Sequence, residues 1–169
     1  RREMARRYLI PFVKYNFPDY DANWHHEVIA DRLQRVELAI LDQYHPNRIN
    51  RLIITMPPRH GKSELASKFF PAWFLGRNPK KEIIAASYGA DLATDFGRKV
   101  RNLFETPEVQ NVFSGTRLSQ DSKAANQFNT DSGGAYVAAG VGGAITGKGA
   151  HIAIVDDPFK NDKESMSEM

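Results

Sequence analysis

Apolar positions along the chain follow two spacings. Ile29, Leu33, Val36 and Ile40 recur every three or four residues and predict a helix from Trp24 to about Gln43. Asn23 can cap it, and His45-Pro46-Asn47 ends it. Tyr8, Leu9, Phe12 and Val13 give a shorter amphipathic helix, with an interruption near Pro11 and a basic face of Arg1, Arg2, Arg6, Arg7 and Lys14. Leu92, Phe96, Val100 and Leu103 predict a third helix, opened by Gly89 and Asp91 and stopped before Pro107. Three continuous apolar runs read as buried strands: Leu52-Ile53-Ile54-Thr55, Glu82 to Ser87, and His151 to Val155.

Between the first two strands, Glu64 to Phe69 reads as a helix, with a kink or break at Pro71 and a stop at Gly76. This strand-helix-strand-helix order implies parallel strands with right-handed crossovers. Residues 107–124 are polar and turn-rich and predict no element. Gln127–Thr130 and Ala135–Ala139 flank Asp131-Ser132-Gly133-Gly134, a hairpin signal. The stretch Gly140 to Gly149 is dense in glycine: either a connector, or a loop whose backbone comes close to a ligand.

The turn between the first strand and its helix carries the chemistry. Met56-Pro57-Pro58-Arg59-His60-Gly61-Lys62-Ser63 sits where a phosphate-binding loop requires a strand before it and a helix after it. In such a loop backbone N–H groups converge on phosphate oxygens, and the helix N-terminus adds a positive dipole end. Gly61 lets the backbone approach, Lys62 brings a cation to the β- and γ-phosphates, and the Ser63 hydroxyl completes a Mg²⁺ shell. Met56 departs from the usual pattern by standing at the first glycine position. The bland reading is a chance Gly-Lys-Ser at a helix start.

The third strand ends in Asp156-Asp157. Adjacent acids closing an apolar strand are costly unless a cation lies there. Beside a nucleotide that cation is Mg²⁺, held by Asp156 with Ser63, while Asp157 orients and polarises a water. Trp24 and His25, at the start of the long helix, read either as core or as a wall of an adenine pocket. Arg98, Lys99 and Arg101 read as a solvated face, with DNA contact as the alternative, and the basic first helix carries the same pair of readings.

Bulk numbers narrow this little. A chain of 169 residues with 41% hydrophobic and 25% charged residues is one ordinary globular domain. Cysteine is absent, which excludes disulfides and thiolate metal sites. No apolar run approaches the length needed to cross a membrane. The net charge of +3 permits a nucleic-acid partner without demanding one.

With these residues in place, the chain resembles the ATPase half of the large terminase subunit of tailed double-stranded DNA bacteriophages. Four pieces carry the likeness: Trp24-His25-His26; Met-Pro-Pro-Arg-His-Gly-Lys-Ser-Glu at 56–64; Ala-Ser-Tyr-Gly-Ala-Asp-Leu-Ala at 86–93; and the glycine-dense run at 140–149 leading into Val-Asp-Asp-Pro at 155–158. The resemblance implies an α/β P-loop NTPase of the ASCE/RecA-like kind, with a mainly parallel sheet flanked by helices and a β-hairpin before the Walker B strand. Residues 1–50 would form an N-terminal helical region with the adenine-side residues, and 51–169 the P-loop core. It implies ATP and Mg²⁺ as cofactors. Pro58, Arg59, His60, Gly61, Lys62, Ser63 and Glu64 would line the phosphates, Trp24 and His25 the base. Ser63 and Asp156 would hold the metal, and Asp157, Lys62 and Arg59 would be catalytic. The implied partners are double-stranded viral DNA, a portal protein, a small terminase subunit and further copies in a ring, commonly of five, at the procapsid portal in the host cytoplasm; no membrane is involved. The family's C-terminal nuclease is not expected in this chain, which ends soon after the acid pair and reads as truncated. Two rival readings share the local chemistry: a helicase-type P-loop ATPase outside packaging, and a nucleotide-binding module without turnover.

Overall fold

The computed structural model describes residues 1–143 and 149–159. Residues 144–148, with the Thr146-Gly147-Lys148 part of the glycine-dense run, lie outside the described residues, as do 160–169. The elements run α1 (Arg2–Arg7), α2 (Leu9–Asn16), α3 (Trp24–Leu41), a π-helical turn (Glu64–Phe69) continued by α4 (Phe70–Arg77), β1 (Glu82–Ser87), α5 (Ala90–Phe104), α6 (Pro107–Val112), β2 (Leu118–Lys123), β3 (Gln127–Thr130), β4 (Ala135–Gly140) and β5 (Ile152–Val155).

The strands form one five-stranded sheet in the order β2-β3-β4-β1-β5. β1 pairs in parallel with β4 and β5, whereas β2, β3 and β4 pair antiparallel. The sheet is therefore mixed and not mainly parallel. The predicted hairpin is present as β3 and β4, stacked through Phe128 and Tyr136 with ring centroids 5.0 Å apart. α5 packs on β1 and β4, and its Gly97 admits the Ala125 carbonyl at a distance no Cβ would allow. The fully buried Phe12, Phe70, Trp73, Phe74, Phe104, Phe128 and Tyr136 make up the bulk of the core. At roughly 1.5–3 kcal/mol for each large apolar side chain removed from water, such residues dominate the folding energy.

Several expectations are corrected. The apolar run Leu52–Thr55 joins no ladder: among the described residues no backbone hydrogen bond reaches residues 50–57, and Ile53 is 88% exposed. A cavity of about 510 Å³, lined by Val36, Ile40, Leu52, Ile54 and Phe70, separates that run from β5. β5 is accordingly an edge strand and not a buried one, with Val155 61% exposed.

The break in the N-terminal helix falls at Tyr8, which is extended at φ −129° and ψ 141°, and not near Pro11. Pro11 is the third residue of α2, where an amide has no intrahelical acceptor to lose. Nor does Pro71 break the next helix. The Phe70 N–H donates to the Leu65 carbonyl, five residues back, and this wider turn relieves the clash a proline ring makes with the carbonyl four residues earlier. Gly76 is no stop either: α4 runs through Arg77, and Gly76 is needed because Phe113 packs where its Cβ would be. In the polar stretch with no predicted element lie α6, capped by Thr106 and started by Pro107, and β2.

α3 matches its prediction closely, with Asn23 as cap and Ile29 and Leu33 buried. Its buried Glu37 accepts hydrogen bonds from Arg77 Nε and Asn78 Nδ2, both at 2.7 Å, which ties α3 to the end of α4. Among the described residues no helix is long and apolar enough to cross a membrane.

Candidate functional site

The loop ahead of the π-helical turn is built for exposed backbone donors. Arg59 has φ +64° and Gly61 φ +83°, while Ser63 is right-handed at φ −67°. Left-handed and right-handed residues in close succession are the backbone pattern from which anion-binding concavities are made. Among the described residues no backbone acceptor takes an N–H of residues 59–64. A left-handed arginine costs on the order of 1–3 kcal/mol, which the surrounding structure must hold in place.

β1 holds the acid pair from the other side. The Asp156 N–H donates to the Ala86 carbonyl at 3.0 Å, the Ser87 hydroxyl donates to the Asp156 carbonyl at 2.6 Å, and the Tyr88 N–H donates to the Asp157 carbonyl at 3.0 Å. Asp157 is itself left-handed, at φ +47°, so strain sits on both walls of the site. Asp156 is buried at 6% exposure, and Asp157 is exposed.

Lys62 joins the two walls. Its Nζ lies 3.2 Å from Asp156 Oδ1 and 3.0 Å from Asp157 Oδ1. Burial works against the ammonium, but the hydrogen bonds to Asp157 and Asp156 outweigh it and raise its pKa. The second oxygen of Asp156 accepts from the Ser67 hydroxyl at 2.7 Å. Ser67 sits in the π-helical turn and is buried. Nothing in the sequence singled it out, since a lone serine within a helix carries no signal.

The remaining predicted residues fall around the same loop. Ser63 follows Lys62 directly, and its hydroxyl makes no hydrogen bond among the described residues. Arg59 is exposed with no partner among the described residues. The Pro58 carbonyl accepts from His60 Nδ1 at 2.8 Å. The Glu64 carboxylate is engaged by Lys68 at 2.8 Å.

Trp24 is 74% exposed, which removes the reading of it as core. It meets His25 edge-on at 5.7 Å, and His25 meets His60 at 6.3 Å, so a file of rings leads from the start of α3 to the loop. Two residues in that region went unassigned from sequence. His26 donates from Nε2 to the His60 carbonyl at 3.1 Å, and the Tyr20 ring lies 5.4 Å from it.

Among the described residues no group of three or more histidine, cysteine, aspartate or glutamate side chains could cage a metal. Mg²⁺ commonly uses one or two carboxylates and completes its octahedron with water and substrate phosphates. The oxygens of Asp156 and Asp157 already face a cation in Lys62, so the donor set fits an ion carried in with a nucleotide.

The basic residues of α5 make local bonds. Arg98 and Lys99 pair with Asp95 at 2.9 and 2.8 Å, and Arg101 donates to the Lys123 carbonyl at 3.0 Å.

A model of the N-terminal region of T4likevirus-type terminase large subunits matches residues 53–169, the larger part of the chain. The match includes the loop and the acid pair and leaves out Trp24, His25 and His26. No curated protein and no solved structure matches the chain.

Proposed function

The chain belongs to the terminase large-subunit family, which serves phage DNA packaging, and from that premise we infer that it is the P-loop ATPase that powers movement of viral double-stranded DNA into the procapsid. One observation carries the reading: Lys62 Nζ, on the loop, lies within 3.2 Å of carboxylate oxygens of both Asp156 and Asp157. Two segments far apart in sequence thus converge where a nucleotide's phosphates and their ion would sit.

Each residue has a role in this reading. The free amides of residues 59–64 hold phosphate oxygens in a concavity with little competition from protein acceptors. The Lys62 ammonium exchanges part of its carboxylate contact for phosphate oxygens when nucleotide enters. Ser63 and Asp156 would hold Mg²⁺, which when bound neutralises charge on the β- and γ-phosphates. Asp157 accepts the proton of the attacking water or orients that water. Asp is one methylene shorter than the Glu common in P-loop motors, and the left-handed backbone of Asp157 sets where its carboxylate reaches. Arg59, unpaired and exposed, is placed to answer γ-phosphate charge. Trp24 and His25 offer ring faces to the adenine. DNA, the portal protein, a small subunit and a ring of copies are the partners this function requires.

The test is Mg²⁺-dependent phosphate release from ATP by the wild type and by Lys62→Ala. Loss of one contact of this kind costs ~3 kcal/mol, or about a hundredfold in rate. Equal rates in the two proteins defeat the reading.

A further inference from the structure

His26 occupies a position that fixes its chemistry. Its Nδ1 lies 3.0 Å from the Asn23 backbone nitrogen, and its Nε2 lies 3.1 Å from the His60 carbonyl oxygen. A backbone N–H can only donate and a carbonyl can only accept. Nδ1 is therefore the bare acceptor and Nε2 carries the hydrogen, so the ring is a neutral imidazole in one tautomer. The first bond is half of the capping box that starts α3, and the second reaches across to the phosphate loop. The ring also lies directly on Gly61: a Cβ built there would be 2.7 Å from His26 Nε2 and 3.6 Å from the Tyr20 hydroxyl. His26 thus couples the start of α3 to the two residues that precede Lys62.

We propose that His26 is a positioning residue of the phosphate loop, holding His60 and Gly61 so that the left-handed turn and its free amides persist without ligand. Two features make such a support necessary. The loop's own amides make no backbone bonds among the described residues, and Arg59 is held in a strained conformation, so within the loop the described bonds come down to the His60 ring on the Pro58 carbonyl. The segment ahead of it, residues 50–57, has no ladder to brace it. Among the described residues, the one hydrogen bond that braces the loop's backbone from outside the loop and its own helix comes from His26. The consequence for nucleotide affinity rests on the ATPase reading; the consequence for loop order does not.

The experiment uses the full chain with His26→Gln and His26→Leu. Gln is the usual third residue of a capping box, can accept from the Asn23 N–H and keeps an N–H₂ near Nε2. Leu fills similar space and makes neither bond. Hydrogen exchange of the 57–63 peptide is measured without nucleotide, and MgATP affinity by calorimetry. Exchange about tenfold faster in His26→Leu, near wild type in His26→Gln, with MgATP affinity down about tenfold only in the former, supports the proposal. Unchanged loop exchange in His26→Leu overturns it whatever happens to affinity, and so does an equal effect of both variants. If the wild type binds no ATP while loop exchange still separates the two variants, the positioning role stands and the nucleotide reading falls. If His26→Leu does not fold, ring ¹⁵N shifts of wild-type His26 decide: an Nε2–H tautomer supports the arrangement, an Nδ1–H tautomer overturns it.

Discussion

Lys62 Nζ donates to Asp157 Oδ1 at 3.0 Å across 95 positions of sequence. The bond closes the space between the loop and the end of β5, and the neighbouring Asp156 oxygen at 3.2 Å makes it a bridge. A lysine held by two carboxylates is a counter-ion waiting for a competitor. Under the proposed ATPase reading, nucleotide phosphates would draw it one way and a divalent ion would take its place at the acids.

Separate roles for the two acids follow from their burial. Asp157→Asn keeps a residue that tolerates φ +47° and is expected to bind MgATP near wild-type strength while phosphate release falls about a hundredfold. Steady-state release and calorimetry on the same sample check this. Equal losses of affinity and turnover would move Asp157 from the reaction to the binding of nucleotide.

Ser67→Ala removes the hydroxyl that meets Asp156 Oδ2 in a buried setting. The loss leaves a buried carboxylate oxygen without its donor and is expected to lower stability by about 1–3 kcal/mol, read from denaturant midpoints. A change under about 0.5 kcal/mol would show that water replaces the hydroxyl there.

Trp24 and Trp73 are the two tryptophans, one exposed and one buried. Nucleotide is therefore expected to quench the Trp24 share of the fluorescence. Trp24→Ala should abolish the quench, weaken ATP binding and leave stability within about 0.5 kcal/mol, as for an exposed side chain. A quench that survives the substitution would place the base elsewhere.

Acid should act on the loop through His26. Burial first, and then the charge of His25, lower its pKa below the ordinary 6.5; the His60 carbonyl and Asp21 act in the other direction, and the Tyr20 hydroxyl and His60 ring also face it. In the window between that lowered value and 6.5, the unfolded chain binds the proton more readily than the folded one. Stability from this group is therefore complete above 6.5 and declines as pH falls through the window. His26→Gln should flatten that part of a stability curve measured from pH 7.5 to 5. An identical slope in both proteins would assign the decline to other groups.

The meeting of the loop with the acid pair was legible in sequence because each rests on a contiguous signal. Gly61-Lys62-Ser63 after an apolar run and Asp156-Asp157 closing another each name their own place, and Lys62 confirms that they meet. What sequence could not show depends on distant partners. Ser67 matters only because Asp156 comes to it, and His26 only because His60 does. Leu52–Thr55 has strand composition, but pairing needs a neighbour within reach, and a cavity lies there instead. α6 and β2 are six residues each and too polar for a period to emerge. The placement of Pro71 turned on a π-helical register that no local pattern announces.

In the proposed site one ion is shared between the loop's ligand and the acid pair. Calorimetric titration of ATP into the wild type and Asp156→Asn, each with Mg²⁺ and with EDTA, tests it directly. Mg²⁺ is expected to tighten ATP binding at least tenfold in the wild type and hardly at all in Asp156→Asn. Equal tightening in both proteins, or no effect of Mg²⁺ in either, would contradict it.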